Sequence, residues 1–205
     1  MKTKYSSNAA GLIGAWLFLS LAYCAHAQPG TAQVQGVQGN ASYQARNGAT
    51  TQLRKGATVP VGAVVTTERG AAVDLYLGPE VGTIRLTQNS VLILEKLDRA
   101  QTFITLTSGS FAGKDAKLPL TSEYQIKLPH GIVGVAEGKY RVDARSYLVL
   151  LQGAMVYAYV PADGEPRPYV LKAPPPTYFS PIEGVKPAPV LLQREVELQL
   201  KGKLR

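Results

Sequence analysis

A period-two pattern of apolar residues between positions 124 and 160 constrains this chain more than any other feature. Tyr124, Ile126 and Leu128 alternate with polar residues, which is the spacing of a strand with one buried face. Four groups containing Gly, Pro or polar residues interrupt the pattern, at 129–131, 137–138, 144–146 and 152–153. Such groups are typical of turns, so the stretch predicts short strands joined by tight turns. Residues 147–151 are continuously apolar, which predicts a strand covered on both faces.

Short apolar segments of this kind recur at intervals of about 8–12 residues through most of the chain, as in β-sandwiches. The chain has 205 residues, of which 45% are hydrophobic, so it is long enough for one domain with a true core. No internal window has the period of a long amphipathic helix. We therefore predict an all-β domain at residues 28–160, with two packed antiparallel sheets in a sandwich-like arrangement. Within it we expect an opening hairpin at residues 31–47, and an edge strand or a bend at Pro60.

Residues 1–27 have the composition of a secretory signal peptide. Lys2 and Lys4 precede an apolar run over residues 12–25, and Ala25-His26-Ala27 matches an A-x-A cleavage site. We therefore predict cleavage between Ala27 and Gln28 and a periplasmic or secreted protein that is at most peripheral to the membrane. The alternative is an uncleaved membrane anchor, for which the run is short compared with a span of about 20 residues.

Cys24 is the only cysteine, and it lies within the predicted signal peptide. In a lipoprotein this residue would be the lipid attachment site, but the bulky Tyr23 before it disfavours that alternative. After removal of the leader, the chain has no thiol for a disulfide, a metal site or a nucleophile. The core alone must then stabilise the fold.

Charge and reactive side chains argue against nucleic-acid binding and against catalysis. The formal net charge is +8, but the basic residues are scattered and form no stripe with interleaved aromatics. A modest affinity for anionic surfaces such as an acidic polysaccharide stays open. His130 is the only histidine after the leader, so neither a catalytic triad nor a histidine metal site is predicted. The acidic residues of the β region are spread over strands and turns, among them Asp74, Glu80, Glu95, Asp98, Glu123, Glu137 and Asp143. We predict no catalytic residues, no metal and no cofactor.

Tyrosine is unusually frequent in this chain, with eleven residues. Six of them follow one another late in the sequence: Tyr140, Tyr147, Tyr157, Tyr159, Tyr169 and Tyr178. An exposed set of rings would stack on sugars, whereas a buried set would belong to the core and rim of a sandwich. The preference of tyrosine for strands favours the second interpretation.

Residues 161–205 differ in composition and are predicted to form a Pro-rich tail with a short terminal element. Nine prolines fall between residues 161 and 189. We expect one further strand at 169–171, after which residues 173–189 are extended and wrap the domain. The final residues, VLLQREVELQLKGKLR, fit the period of a strand or of a helix, and their strong helix formers favour a short helix.

The order of these segments resembles the FecR domain family, which is known from periplasmic regulators of iron-siderophore signalling. Residues 53–56 resemble the family's opening L-x-x-G pattern, and residues 134–142 resemble its v-r-G-T-x-F-x-V pattern. Further similar segments lie at 61–66, 71–77, 83–90, 106–111 and 152–156. The resemblance covers residues 34–160. Lys139 and Tyr140 stand where the family has Thr and Phe.

The resemblance implies an all-β extracytoplasmic module with a binding role. Regulators of this family also hold a sigma factor in the cytoplasm, but a cleaved chain outside the membrane cannot do so, and we expect no direct sigma-factor binding. We predict a non-enzymatic module that binds an envelope protein, at an exposed strand edge, or an envelope glycan. One alternative is a component of a cell-surface signalling pathway that acts with a separate membrane regulator. Another is a polysaccharide enzyme, which would need a cleft with two carboxylates about 5–10 Å apart.

Overall fold

A computed structural model describes residues 30–46, 48–114, 118 and 121–202, and it confirms the all-β fold. These ranges contain sixteen strands and one short helix. The predicted signal peptide, its cleavage site and Cys24 lie outside the described residues.

The strands are short in the first part of the chain, and two of the later ones are much longer. In chain order they are β1 (Thr31–Gln38), β2 (Ala41–Gln44), β3 (Thr50–Gln52), β4 (Thr58–Pro60), β5 (Val64–Thr67), β6 (Ala72–Tyr76), β7 (Thr83–Leu86), β8 (Ser90–Leu97), β9 (Gln101–Ser108), β10 (Ser110–Lys114), β11 (Glu123–Leu128), β12 (Gly131–Asp143), β13 (Tyr147–Tyr159), β14 (Arg167–Ala173), β15 (Thr177–Ser180) and β16 (Gly184–Pro187). The helix α1 (Val190–Leu200) follows the last strand.

All of these strands belong to one hydrogen-bonded sheet. Its main path runs in the order β3-β2-β5-β8-β9-β11-β12-β10-β7-β6-β1-β4, and only the β9–β11 pair is parallel. β13 branches from β12 and carries β14 and β15, and β16 pairs with β15. We predicted two packed antiparallel sheets, and the structure instead joins the strands into one continuous sheet with a single parallel pair. Register shifts within β1–β6, β8–β9 and β12–β13 bend the strands, so that the same sheet continues around the core.

The opening hairpin predicted at residues 31–47 is wrong in its pairing. β1 pairs with β4 and β6, whereas β2 pairs with β3 and β5, so the two strands lie in different parts of the sheet. Gly39 forms the corner between them with φ +67°, and a Cβ there would lie 3.0 Å from the Cα of Ala71. The neighbouring turn does form a hairpin between β2 and β3, although Asn47 lies outside the described residues. Pro60 ends β4, which is an edge strand as predicted.

Two of the turns predicted between residues 124 and 160 are absent. β12 and β13 have thirteen residues each and pair with each other along the whole hairpin. Gly138 lies opposite Gly153 inside this hairpin, between two register shifts. A Cβ on Gly138 would lie 1.9 Å from the carbonyl oxygen of Gln152. The two glycines therefore allow a close approach of two backbones at a bend, and glycine at a bend has the same sequence signal as glycine in a turn.

The inner face of the sheet holds the apolar positions that the alternation predicts. Tyr124, Ile126 and Leu128 of β11 are all buried, and so are Tyr140 and Tyr157 of the long hairpin. β12 connects the two halves of the sheet, because its first part pairs with β11 and its last part with β10. One cluster of buried side chains therefore runs through most of the sheet.

Beyond residue 160 the chain extends the same sheet. β14 and β15 pair with the two halves of β13, and β15 forms a hairpin with β16. α1 lies on the outer face of the sheet, where Val196 packs with Val149 and Ala188. The predicted strand at 169–171 and the predicted terminal helix are confirmed. The helix also explains why residues 148–150 are buried on both faces.

Candidate functional site

The outer face of the β12–β13 hairpin is covered in one half and uncovered in the other. In the covered half, α1 leaves Val149 only 5% exposed. In the other half, Ile132, Val156 and Val170 are 42%, 47% and 53% exposed. Apolar side chains of this size, exposed side by side on a sheet, are typical of interaction surfaces.

Strand pairing places these residues in two neighbouring rows across β12, β13 and β14. The rows are Ile132, Ala158 and Pro168, and next to them Gly134, Val156 and Val170. Residues in one lateral row point to the same side of a sheet, so the two rows form a continuous surface. We call this set of six residues the bare face.

The bare face ends at a free strand edge. β14 pairs only with β13, so the backbone groups on its other side have no strand partner. Three other described strands also end the pairing of the sheet, but β3, β4 and β16 have only three, three and four residues, whereas β14 has seven. Arg167, Pro168 and Lys172 lie near the ends of β14, and no second described strand pairs with its centre.

An aromatic cluster beneath β14 holds this edge in place. The ring centroid of Phe179 lies 4.7 Å from that of Tyr169, 5.1 Å from that of Tyr157 and 5.6 Å from that of Tyr159. Leu171, another inward side chain of β14, is fully buried. Because the edge is anchored in the core, adding a further strand costs less conformational entropy than ordering a loose segment would.

Tyr157 also holds the turn that contains His130. The Tyr157 hydroxyl donates to the His130 carbonyl at 3.0 Å and therefore accepts a hydrogen bond from the Ser146 hydroxyl at 2.6 Å. Burial raises the pKa of Tyr157 to about 12, although the hydrogen bond with Ser146 acts in the opposite direction. The His130 side chain is exposed. The turn thus uses the backbone of His130, while the imidazole faces solvent.

The late tyrosines do not form a stacking surface. Five of the six are buried or partly buried: Tyr140, Tyr157, Tyr159, Tyr169 and Tyr178. The sixth, Tyr147, is 42% exposed, and the guanidinium carbon of Arg145 lies 5.7 Å from its ring centroid. This arrangement agrees with their interpretation as core and rim residues.

A groove of about 950 Å³ lies between α1 and the ends of several strands. On its floor, Arg141 donates from Nη1 to Oε1 of Glu195 on α1 at 2.7 Å. Asp143 is 5% exposed and accepts from the backbone N–H, Nε and Nη2 of Arg145 at 2.9, 2.9 and 2.8 Å. Since the Arg141–Glu195 ion pair joins β12 to α1 across the groove, we interpret the groove as the seam that docks α1.

The pKa of Asp143 lies below its ordinary value. Burial alone would raise this pKa, but hydrogen bonds from Arg145 and the charges of Arg145 and Arg141 outweigh it. A carboxyl with a lowered pKa stabilises the fold while it is ionised, above the unfolded value of about 3.9, and loses this contribution as pH falls through the folded pKa. The pKa of Asp74 is shifted in the opposite direction. Burial raises it, and the charge of Arg85, which lowers it, has the smaller effect.

We expect Asp143→Asn to destabilise the chain by about 1.5–3 kcal/mol near neutral pH, because Arg145 loses a charged hydrogen-bond partner. The difference in unfolding free energy between the variant and the wild type should shrink below about pH 4, where the Asp143 carboxylate contributes progressively less to stability. Urea unfolding at neutral pH and at about pH 3 measures both quantities. The control is Glu165→Gln, which changes an exposed carboxyl outside these ion pairs and should have little effect. A difference for Asp143→Asn that does not change with pH would contradict this account.

Two other acidic residues of the described ranges are held in ion pairs. Asp74 pairs with Arg85 at 3.3 Å, and Asp98 pairs with Lys96 at 3.3 Å. Within the described ranges, no group of three His, Cys, Asp or Glu side chains could hold a metal ion. No helix in that part of the chain has the length and apolar character needed to cross a membrane.

Sequence reasoning did not identify the bare face. Residues 155–160 are apolar at odd and at even positions alike. This pattern indicates that neither face of the strand is polar, and it was the one sequence signal for the bare face. Alternation does not say which of the two faces is covered, since that depends on α1 and β14. A scan against models of protein families and a search of curated proteins both found no match to this chain.

Proposed function

We propose that this chain is a non-enzymatic, extracytoplasmic FecR-like module that binds an envelope protein by strand addition at β14. The partner contributes an extended segment whose backbone pairs with the free edge and whose alternate apolar side chains lie against the bare face. The exposure of Val156 and Val170, which lie in one row with Gly134 beside that edge, is the observation that carries the proposal.

The edge and the bare face contribute different kinds of free energy. Burying the exposed part of a valine contributes up to about 1 kcal/mol. Each new backbone hydrogen bond contributes about 0.5–1.5 kcal/mol. The edge supplies affinity for any extended chain, and Ile132, Val156 and Val170 select apolar side chains at alternate positions.

Separate observations support the location and the absence of catalysis. The composition of residues 1–27 supports export, with cleavage between Ala27 and Gln28. The order of FecR-like segments over residues 34–160 supports the kind of module. The exposed His130 and the ion pairs that engage Asp143 and Glu195 with arginines favour binding over catalysis. In this location the chain has no direct access to a cytoplasmic sigma factor.

Photo-crosslinking tests the proposed partner surface. With a benzophenone amino acid at Ala158, the purified chain is expected to capture one discrete protein from an envelope extract, whereas the same group at Thr51 on β3 should not. Val156→Lys combined with Val170→Lys should lower the yield at least about tenfold, because two apolar contacts are lost and two charges face the partner. Val190→Lys with Leu191→Lys is the matched control, since these residues are 75% and 80% exposed on α1.

Hydrogen exchange on the captured complex then separates strand addition from simple side-chain docking. Amides on the free side of β14 should exchange more slowly in the complex, and those of β3 should not change. Equal capture at Thr51, a yield that survives the two lysine substitutions, or a product that joins only two copies of this chain would overturn the proposal. Recovery of polysaccharide without protein would instead favour the glycan alternative.

A further inference from the structure

Three lysines surround a cavity of about 750 Å³ at the bend of the β12–β13 hairpin. Lys114 of β10 and Lys139 of β12 are direct partners in the strand register. Lys172 of β14 approaches from the other side, opposite Ala154 of β13. We call these three residues the lysine cluster.

The lysine cluster is unfavourable for folding. Like charges directly opposite each other on neighbouring strands destabilise a sheet. Among the described residues lining the cavity, Glu137 is the only acidic one, and no ion pair joins a described carboxylate to any of the three lysines. A concave surface with this excess of positive charge attracts anions. A local conflict of this kind within an otherwise consistent fold is a mark of function.

The bend gives the lysine cluster a fixed base. Gly138 and Gly153 line the cavity, and a Cβ on Gly153 would lie 2.0 Å from the carbonyl oxygen of Glu137. Because the two backbones touch here, the strand segments carrying Lys139 and Gln152 cannot shift independently. The flexible lysine side chains are therefore able to adjust to a ligand on a backbone that stays in place.

We propose that the lysine cluster binds an acidic saccharide, meaning a sugar unit that carries a phosphate or carboxylate group. An ammonium group is a compact charge with three hydrogen-bond donors, which suits the oxygens of either anion. The cavity volume falls within the range of small-molecule sites, about 300–1,000 Å³, and exceeds what a free phosphate needs. Gln152 offers a neutral amide for sugar hydroxyls. The site borders the bare face but does not depend on strand addition at β14.

Titration of the purified chain with glucose 6-phosphate, glucuronate, inorganic phosphate and neutral glucose tests the inference. The amide NMR signals of Gly138 and Gly153 should shift and saturate with at least one of the two acidic sugars, and the tighter one identifies the preferred anion. Glucose should cause no shift. Inorganic phosphate that binds as tightly as the better sugar would overturn the saccharide assignment, and glucose that binds equally well would overturn the role of charge.

Variants separate a specific site from general attraction to a basic protein. Lys114→Gln, Lys139→Gln and Lys172→Gln together should weaken binding at least about tenfold, because charge-assisted hydrogen bonds are lost. The melting temperature of this triple variant should be unchanged or higher, because the repulsion among the three lysines is removed. The control combines Lys55→Gln, Lys127→Gln and Lys186→Gln, which remove the same charge elsewhere on the surface. If the triple variant does not fold, Lys172→Gln alone tests whether the cluster contributes to binding of the acidic sugar, because Lys172 is exposed and its replacement should be tolerated.

Equal weakening in the control set, or unchanged binding in the lysine-cluster variants, would overturn the inference. Binding to the acidic sugar should also decline as salt is added, because the attraction is between exposed charges. The crosslinking variants Val156→Lys and Val170→Lys leave all three lysines of the cluster in place and add positive charge beside it, so they should not weaken binding of the acidic sugar.

Discussion

Gly153→Ala is expected to destabilise the fold by about 3–5 kcal/mol, because it combines backbone strain with a direct clash. Gly153 has φ +101°, and its new Cβ would lie 2.0 Å from the carbonyl oxygen of Glu137 and 2.8 Å from the Cα of Gly138. Both of these neighbouring atoms belong to the backbone of β12, so no flexible side chain is available to move away. The strands would have to separate at the bend, where β12 and β13 hold the two halves of the sheet together.

Gly164→Ala is the matched control for this prediction. Gly164 also has a positive φ, +82°, but nothing lies within 4 Å of a Cβ placed there. Its replacement should therefore cost only the strain of the left-handed conformation, about 1 kcal/mol. Urea denaturation followed by circular dichroism measures both variants. Similar losses for the two glycines would show that the close approach at the bend does not matter.

Tyr157→Ala is expected to cost about 3–5 kcal/mol, as for other large aromatic side chains removed from a core. The Tyr157 ring is fully buried against Phe179 and Tyr159. Its removal also leaves the Ser146 hydroxyl and the His130 carbonyl without their shared partner. The loss is therefore expected in both packing and hydrogen bonding.

Tyr157→Phe separates these two contributions. It keeps the ring and removes only the hydroxyl, so we expect a loss of about 1–2 kcal/mol. Tyr147→Ala is the control, because Tyr147 is 42% exposed and should contribute much less. Thermal or urea unfolding of the three variants gives the ranking. Tyr157→Ala that is no worse than Tyr147→Ala would contradict the central place of the aromatic cluster beneath β14.

The long hairpin explains why the candidate sites lie close together. Its bend at Gly138 and Gly153 separates the part of the outer face that α1 covers from the part that stays bare. The lysine cluster lies at the bend itself. A ligand at the bend and a strand at β14 would therefore be adjacent, and the two sets of variants described above separate their contributions.

The all-β class, most strand positions, the edge position of Pro60 and the terminal helix were predictable from the chain alone. Each of these rests on a local property, such as period-two alternation in residues 124–128 or the helix formers of residues 190–200. The prediction failed where one local signal has two structural meanings. Glu137-Gly138 and Gln152-Gly153 have the composition of turns, yet each lies within a continuous strand.

The pairing of strands and the covering of faces were decided by the tertiary structure. β1 and β2 are neighbours in sequence but pair with different strands, because pairing depends on contacts between residues far apart in the chain. Val149 and Val156 are similar residues on the same face of β13, and α1 buries the first while the second is exposed. Periodicity is a property of one segment, whereas burial is a property of two surfaces that meet. The bare face and the lysine cluster therefore appear only when all the strands are in place.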